Sequence, residues 1–247
     1  MQNRIVSTGG GRTIQTVTLS LFRFGPVTDR LWVLGQMALA RLDFMRDRDC
    51  SFWKLCGSGT GQGFTPLPNT AVWAILAVWP DEATARDRLT QAPIYRRWSA
   101  RAEETCSLLL HPISARGTWS GSTPFKPQDA MPGPVAALTR ATIRPRHMRR
   151  FWAAEPDISA RIGTDPNVAF KIGIGELPWL HQVTFSVWPD ADSMAAFART
   201  NGPHAEAIRA VRDGDWFAEE LYARFHVADT LGTWNGAPPL DKLPEAA

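Results

Sequence analysis

The sequence predicts an α+β protein built from tandem ferredoxin-like (β-α-β-β-α-β) repeats packed as a pseudo-dimeric α+β barrel. Three observations lead there. Trp79-Pro80-Asp81 recurs as Trp188-Pro189-Asp190, and Gly117-Thr118-Trp119-Ser120-Gly121 recurs as Gly232-Thr233-Trp234-Asn235-Gly236, in the same order and at similar separations. Each Trp-Pro-Asp closes a β-rich apolar run, Ala71–Val78 or Gln182–Val187. Between the copies lies a Pro- and Gly-rich stretch, Ser122 to Pro134, that reads as a linker.

Each copy parses by period and punctuation. A strand rich in Val, Thr, Leu and Ile opens it, Gln15–Arg23 or Val135–Ile143. A helix follows, near Asp29–Leu42 or Pro145–Ala153, and then a strand, Phe52–Leu55 or Val168–Ile172. Trp53-Lys54-Leu55 is matched here to Phe170-Lys171-Ile172, and Thr18–Arg23 loosely to Ala137–Ala141. The next strand ends at Trp-Pro-Asp, where Pro stops strand pairing and Asp caps the helix over Glu82–Leu89 or Ala191–Ala198. A second helical stretch, Pro93–Glu104 or Pro203–Leu221, precedes a last strand, Leu108–Ala115 or Arg224–Leu231, and the Gly-Thr-Trp turn. The expected organisation is an N-terminal extension (1–13), a first unit (14–121), the linker (122–134), a second unit (135–240) and a tail (241–247).

Composition narrows the function. The 247 residues are 44% hydrophobic and 21% charged, a globular balance that rules out disorder as the main reading. A net charge of +3 demands no acidic partner. Eleven Trp against two Tyr suit a large apolar ligand or an interface as well as a core. Three cysteines without a CxxC pair exclude a disulfide framework and a Cys₄ metal site, and fit a reducing cytoplasm. No apolar signal segment opens the chain, and the longest apolar run, Thr70 to Trp79, is too short to span a bilayer. A cytoplasmic or peripheral protein is expected.

Motif templates mostly fail. Gly57-Ser58-Gly59-Thr60-Gly61-Gln62-Gly63 matches neither phosphate-loop pattern and lies between strands. No serine-nucleophile signature occurs. Glu103-Glu104 reads as a solvated helix face. Arg140, Arg144, Arg146, Arg149 and Arg150, followed by Phe151-Trp152, form a basic and aromatic cluster suited to anionic lipid or an acidic redox partner. No RNP-like run supports nucleic acid. None of the five histidines shows multi-His metal spacing, although a group with one axial ligand needs none. His204 is the most informative. It follows Asn201-Gly202-Pro203 at an expected helix start and shares a face with Ile208 and Val211, where the first copy has Ile94. His181 is the second candidate.

Phe52-Trp53-Lys54-Leu55, the Gly loop running into Phe64-Thr65-Pro66, Asn69-Thr70-Ala71-Val72, Trp79-Pro80-Asp81, Ser114-Ala115-Arg116-Gly117, Gly202-Pro203-His204-Ala205 and Trp216–Leu221 together resemble the spheroidene monooxygenases, or acyclic carotenoid 2-ketolases. The resemblance runs from Thr16 to about Leu240. It implies a haem b (iron) monooxygenase that uses O₂ and reduced ferredoxin. The implied reaction oxidises C-2 of an acyclic carotenoid twice, the geminal diol then losing water to a ketone. The second unit would bind the haem, with His204 as axial ligand beside Ile208; a cysteine, Cys56 or Cys106, or another histidine such as His181 stays open as the alternative. Arg140 is the candidate catalytic residue, as a donor to iron-bound oxygen or partner of a haem propionate, with Lys171 and Lys54 behind it. Trp53, Phe64 and Trp73 are candidates for polyene packing, and peripheral membrane contact fits a lipid-soluble substrate. Two alternatives remain: a cofactor-free tandem ferredoxin-like monooxygenase, and a non-catalytic carotenoid or lipid carrier.

Overall fold

Along the first strand Val17, Leu19 and Leu21 alternate with Thr16, Thr18 and Ser20, and this two-residue period sorts the whole molecule into an inside and an outside. In the computed structural model, residues 13–61, 65–153, 168–199 and 215–243 are described. The first copy supplies β1 (Thr16–Arg23), α1 (Val27–Arg46), β2 (Phe52–Gly59), β3 (Pro68–Trp79), α2 (Glu82–Gln91), α3 (Pro93–Ser99) and β4 (Glu104–Gly117). The second supplies β5 (Val135–Ile143), β6 (Phe170–Gly175), β7 (His181–Trp188), α4 (Ala191–Arg199) and β8 (Phe217–Gly232). The strands close into one antiparallel barrel in the order β1-β3-β2-β6-β7-β5-β8-β4. Each copy keeps the ferredoxin-like order, and two seams join them. β4 and β8 pair over nearly their full lengths, from Cys106↔Gly232 to Gly117↔Leu221, whereas β2 and β6 meet only at Gly57↔Gly175 and Ser58↔Ile174. Inward residues of both copies, among them Leu19, Leu76, Leu108, Phe185, Leu221 and Phe225, fill the barrel as one core.

The repeated motifs have physical tasks. Asp81 accepts from the Thr84 N–H at 2.7 Å and Asp190 from the Ser193 N–H at 2.7 Å, so each Trp-Pro-Asp caps the helix after its strand. Those N–H donors hold both carboxyls below their usual range. Each Gly-Thr-Trp segment is a tight turn with consecutive positive φ, at Ser120 and Gly121 or Asn235 and Gly236. Its leading glycine is required by close approach: a Cβ on Gly117 would lie 2.1 Å from the Glu220 carbonyl oxygen, and one on Gly232 2.2 Å from that of Thr105.

Several expectations are corrected. β4 begins at Glu104 rather than Leu108, and β8 at Phe217 rather than Arg224. Trp216–Leu221 is rich in helix formers, yet its alternation places Glu219 in line with the inward Leu221 and Ala223, and pairing with β5 overrides propensity. Glu104 therefore starts a strand and is not a solvated helix face. The copies also align one residue away from the expected register in the second strand. Phe52 pairs with Val78 and Phe170 with Val187, so Trp53 corresponds to Lys171, and Lys54 to Ile172. Such a slip exchanges inside for outside: Lys54 turns into the barrel end and Lys171 away from it. The Arg140–Arg150 run does not form one patch. Arg140 is buried, Arg144 and Arg146 pair with Asp215, and the Arg150 guanidinium lies 4.9 Å from the Trp216 ring centroid.

Candidate functional site

Two regions of the second unit concentrate polar chemistry, one at the barrel end and one on the outer sheet face.

At the barrel end, Arg140 from β5 and Glu219 from β8 form an ion pair. Glu219 also accepts from the Gly121 N–H at 2.7 Å, the Thr118 hydroxyl at 2.9 Å and the Ser120 N–H at 3.1 Å, all in the first unit's Gly-Thr-Trp turn. Partial burial pushes the Glu219 carboxyl up, but these donors and Arg140 outweigh it and hold the pKa at about 2. Glu176 adds a second carboxylate, 2.8 Å from Lys54 Nζ and 3.7 Å from Arg140, and accepts from Trp119 Nε1 at 2.7 Å. His181 Nδ1 lies 3.5 Å from Glu176; burial first, with Arg140 and Lys54 adding, lowers its pKa against the pull of that carboxylate. Two carboxylates face two cations here, so the network is close to neutral.

The opposite end of the barrel repeats half of this design. Glu104 accepts from the Gly236 N–H at 2.8 Å in the second unit's turn and pairs with Arg23 at 3.2 Å. Each unit's turn is thus clasped by the other unit's Arg–Glu pair. The ends differ in depth: the Arg140 side chain is 2% exposed and that of Arg23 35%. Where Lys54, Glu176 and His181 fill one end, a cavity of about 350 Å³ opens at the other, lined by Arg23, Asn69, Val72, Phe170, Ile172 and Trp234 among others.

The outer sheet faces differ more. In the first unit Phe22, Phe24, Leu55, Trp73 and Ile75 point outward and pack beneath α1 and α3 against Val33, Phe44, Tyr95 and Trp98. With Arg23 aligned on Thr142, Trp79 on Trp188 and Phe52 on Phe170, the same positions in the second unit hold Ala141, Ile143, Gly173, Gln182 and Thr184. Each is smaller or more polar than its counterpart, so the sheet itself contributes less side-chain volume to this face than in the first unit. Gln182 is buried and its Nε2 has no hydrogen-bond partner, an exception to the rule that buried donors are satisfied.

The candidate residues divide between these places. Lys171, on β6, is among the residues lining the cavity of about 350 Å³ at the Arg23 end. Arg140, Lys54 and His181 face the other barrel end. Trp53 and Trp73 belong to the first unit's packed outer face. Trp53 stacks on Phe44 with ring centroids 5.2 Å apart, and Trp73 Nε1 donates to the Thr70 carbonyl at 2.8 Å. His204, Ile208 and Phe64 lie outside the described residues. Cys56 and Cys106 are buried in the barrel core, on the inner side of the sheet. Burial pushes the Cys106 thiol up to about 12 and the Cys56 thiol higher still, which disfavours thiolate at either position.

Sequence reasoning did not single out Gln182, Ala141, Gly173 or the glutamates Glu176 and Glu219. One signal was present: Glu104 and Glu219 stand equally far ahead of their Gly-Thr-Trp turns. The contrast between the two outer faces becomes visible only when the copies are compared in the correct register.

Comparison with known proteins bears on the chemistry. The chain is 55% identical over 230 residues to the spheroidene monooxygenase of Cereibacter sphaeroides, covering 92% of this chain and 71% of that protein. It belongs to the spheroidene monooxygenase family. The Rhodobacter capsulatus member is 53% identical over 227 residues, covering 90% of this chain and 94% of its own, and the Rubrivivax gelatinosus member 33% identical over 231 residues. Membership places the chain among oxidoreductases. No protein-family model matches it. Among solved structures, an aldoxime dehydratase aligns with a TM-score of 0.63 at 10% identity, covering 96% of this chain and 90% of that one, and another in complex with butyraldoxime gives the same score. That likeness is one of fold. This member of the spheroidene monooxygenase family is an α+β barrel whose second half carries small and polar residues on its outer face.

Proposed function

We propose that this member of the family is a haem-dependent monooxygenase that oxidises C-2 of an acyclic carotenoid such as spheroidene, taking oxygen from O₂ and electrons from reduced ferredoxin. The observation that carries the reading is the outer face of the second unit, where the first unit's aromatic packing is replaced by Ala141, Ile143, Gly173, Gln182 and Thr184 in a chain 55% identical to a spheroidene monooxygenase. A flat macrocycle needs such room against a sheet, and the buried, unpartnered Gln182 amide offers it a polar contact.

His204 is the proposed axial ligand, with Ile208 beside it on the same helical face and Lys171 as a cationic partner for a propionate. Haem, when bound, supplies the reductive activation of O₂. The rest falls to side chains. The small outward residues leave the volume, and Gln182 Nε2 donates a hydrogen bond into it. The Arg140–Glu219–Glu176–Lys54 network ties β5, β8 and β2 to the residue after β6 on the inner side of the sheet. Each hydroxylation converts a C–H to C–OH, consumes one O₂, two electrons and two protons, and releases one water. A second at the same carbon gives a geminal diol, which dehydrates to a ketone.

Turnover tests this directly. Purified protein supplied with spheroidene, reduced ferredoxin and O₂ is expected to form the 2-hydroxy and then the 2-keto carotenoid. Isotopically heavy O₂ is expected to label the alcohol. Tight carotenoid binding with no oxidised product would instead assign the chain a carrier role, and turnover in haem-free protein would assign cofactor-free chemistry.

A further inference from the structure

Helix α1 is apolar on two opposite faces, and only one of them is used. Val33, Ala40 and Phe44 pack onto the sheet, while Val27, Leu31, Leu34, Leu39, Leu42 and Met45 are exposed, Met45 at 74% and Leu31 at 64%. At 100° per residue Val27, Leu31, Leu34, Ala38, Leu42 and Met45 fall within a sector of about 80°, a continuous stripe roughly 27 Å long.

The charges around the stripe are one-sided. The acids on and just beyond α1 are engaged: Asp29 with Arg101, Asp43 with Arg97, and Asp47 and Asp49 with Arg88. Arg41, Arg46 and Arg48 are exposed and have no ion-pair partner among the described residues. By its angle Arg41 borders the stripe on one flank and Arg46 on the other, and Arg48 follows the helix end.

We propose that the outer face of α1 is a docking surface for an anionic lipid bilayer, the helix lying in the interface with its apolar stripe among the acyl chains and its arginines at the headgroups. A second copy of the chain suits it less. One helix face of this length covers about 300 Å², against the ~800 Å² per partner of a stable protein interface. A two-fold contact would also bring the arginines of both copies together with no acid left to meet them. Among the described residues no helix is long and apolar enough to cross a membrane, so the helix lies on the bilayer and does not span it. The surface follows from α1 alone, so vesicle binding and carotenoid turnover succeed or fail separately.

The test is flotation of the full chain with phosphatidylcholine vesicles, with and without phosphatidylglycerol. Binding is expected with the anionic vesicles and not with the neutral ones. Leu31→Glu with Leu42→Glu is expected to abolish it, and each of Arg41→Gln, Arg46→Gln and Arg48→Gln to weaken it on the order of fivefold. Thermal unfolding of each variant checks that the barrel is intact; exposed positions should leave its midpoint unchanged. Wild-type protein that fails to float with either vesicle overturns the proposal, as does equal flotation by the glutamate variant. A concentration-dependent dimer broken by that variant would give the face to a second copy.

Discussion

Ala141→Phe combined with Gly173→Leu is expected to strip haem from the protein and to lower carotenoid turnover by more than about tenfold while leaving the barrel folded. These substitutions restore the first unit's own residues, Phe22 and Leu55, at the matching positions of the second, so side chains of proven fit to this sheet occupy the proposed haem volume. Thermal unfolding of haem-free protein separates two cases. If this volume is open in haem-free protein, the added groups fill space and the midpoint holds or rises. If protein side chains already fill it, the same changes overpack the face at a cost of about 1–3 kcal/mol, and the midpoint falls. Full turnover in the double variant, with haem retained, would remove this face from the mechanism.

Glu219→Ala is expected to be the most destabilising change at the barrel end. It leaves the nearly inaccessible Arg140 guanidinium without its closest counter-charge, and three donors of the Thr118–Gly121 turn without their acceptor. Breaking a buried pair from one side costs about 3–5 kcal/mol. For a chain of this size that lowers the unfolding midpoint by roughly 10 °C. Glu104→Ala removes the equivalent group from the more exposed Arg23 clasp and is expected to cost about 1 kcal/mol. Acid acts in the same direction as the first substitution. Because the Glu219 pKa is depressed to about 2, its contribution is complete above the ordinary carboxylate range near 4.5 and is lost as the pH falls from there toward 2. The wild-type midpoint should drop across that window, and Glu219→Ala should flatten the drop. Equal effects of the two alanine variants would contradict the difference in depth between the clasps.

The repeat made the architecture legible because its motifs are local. Trp-Pro-Asp caps a helix and Gly-Thr-Trp makes a turn through their own residues, so each reads the same in sequence and in structure. What remained hidden depends on pairing between distant segments. Three of the donors to Glu219 lie in a turn of the other copy, and β8 takes its first residues from a segment whose composition favours helix. The match of Lys54 to Lys171 followed residue identity, whereas the true register follows the pairing of Phe52 and Phe170 with Val78 and Val187. One residue of slip concealed the contrast between the two outer faces, because it set inward positions of one copy against outward positions of the other. Trp53 and Trp73 drew attention as large aromatics, yet they are the packing that the second unit lacks.

The central claim is that the second unit holds haem through His204. The most direct measurement is the optical spectrum of the full chain expressed with ample haem, beside that of His204→Ala. The expected result is a Soret band in the wild type that is lost or shifted in the variant. An unchanged band would move the ligand to another residue, and no band in haem-replete wild-type protein would contradict the haem mechanism.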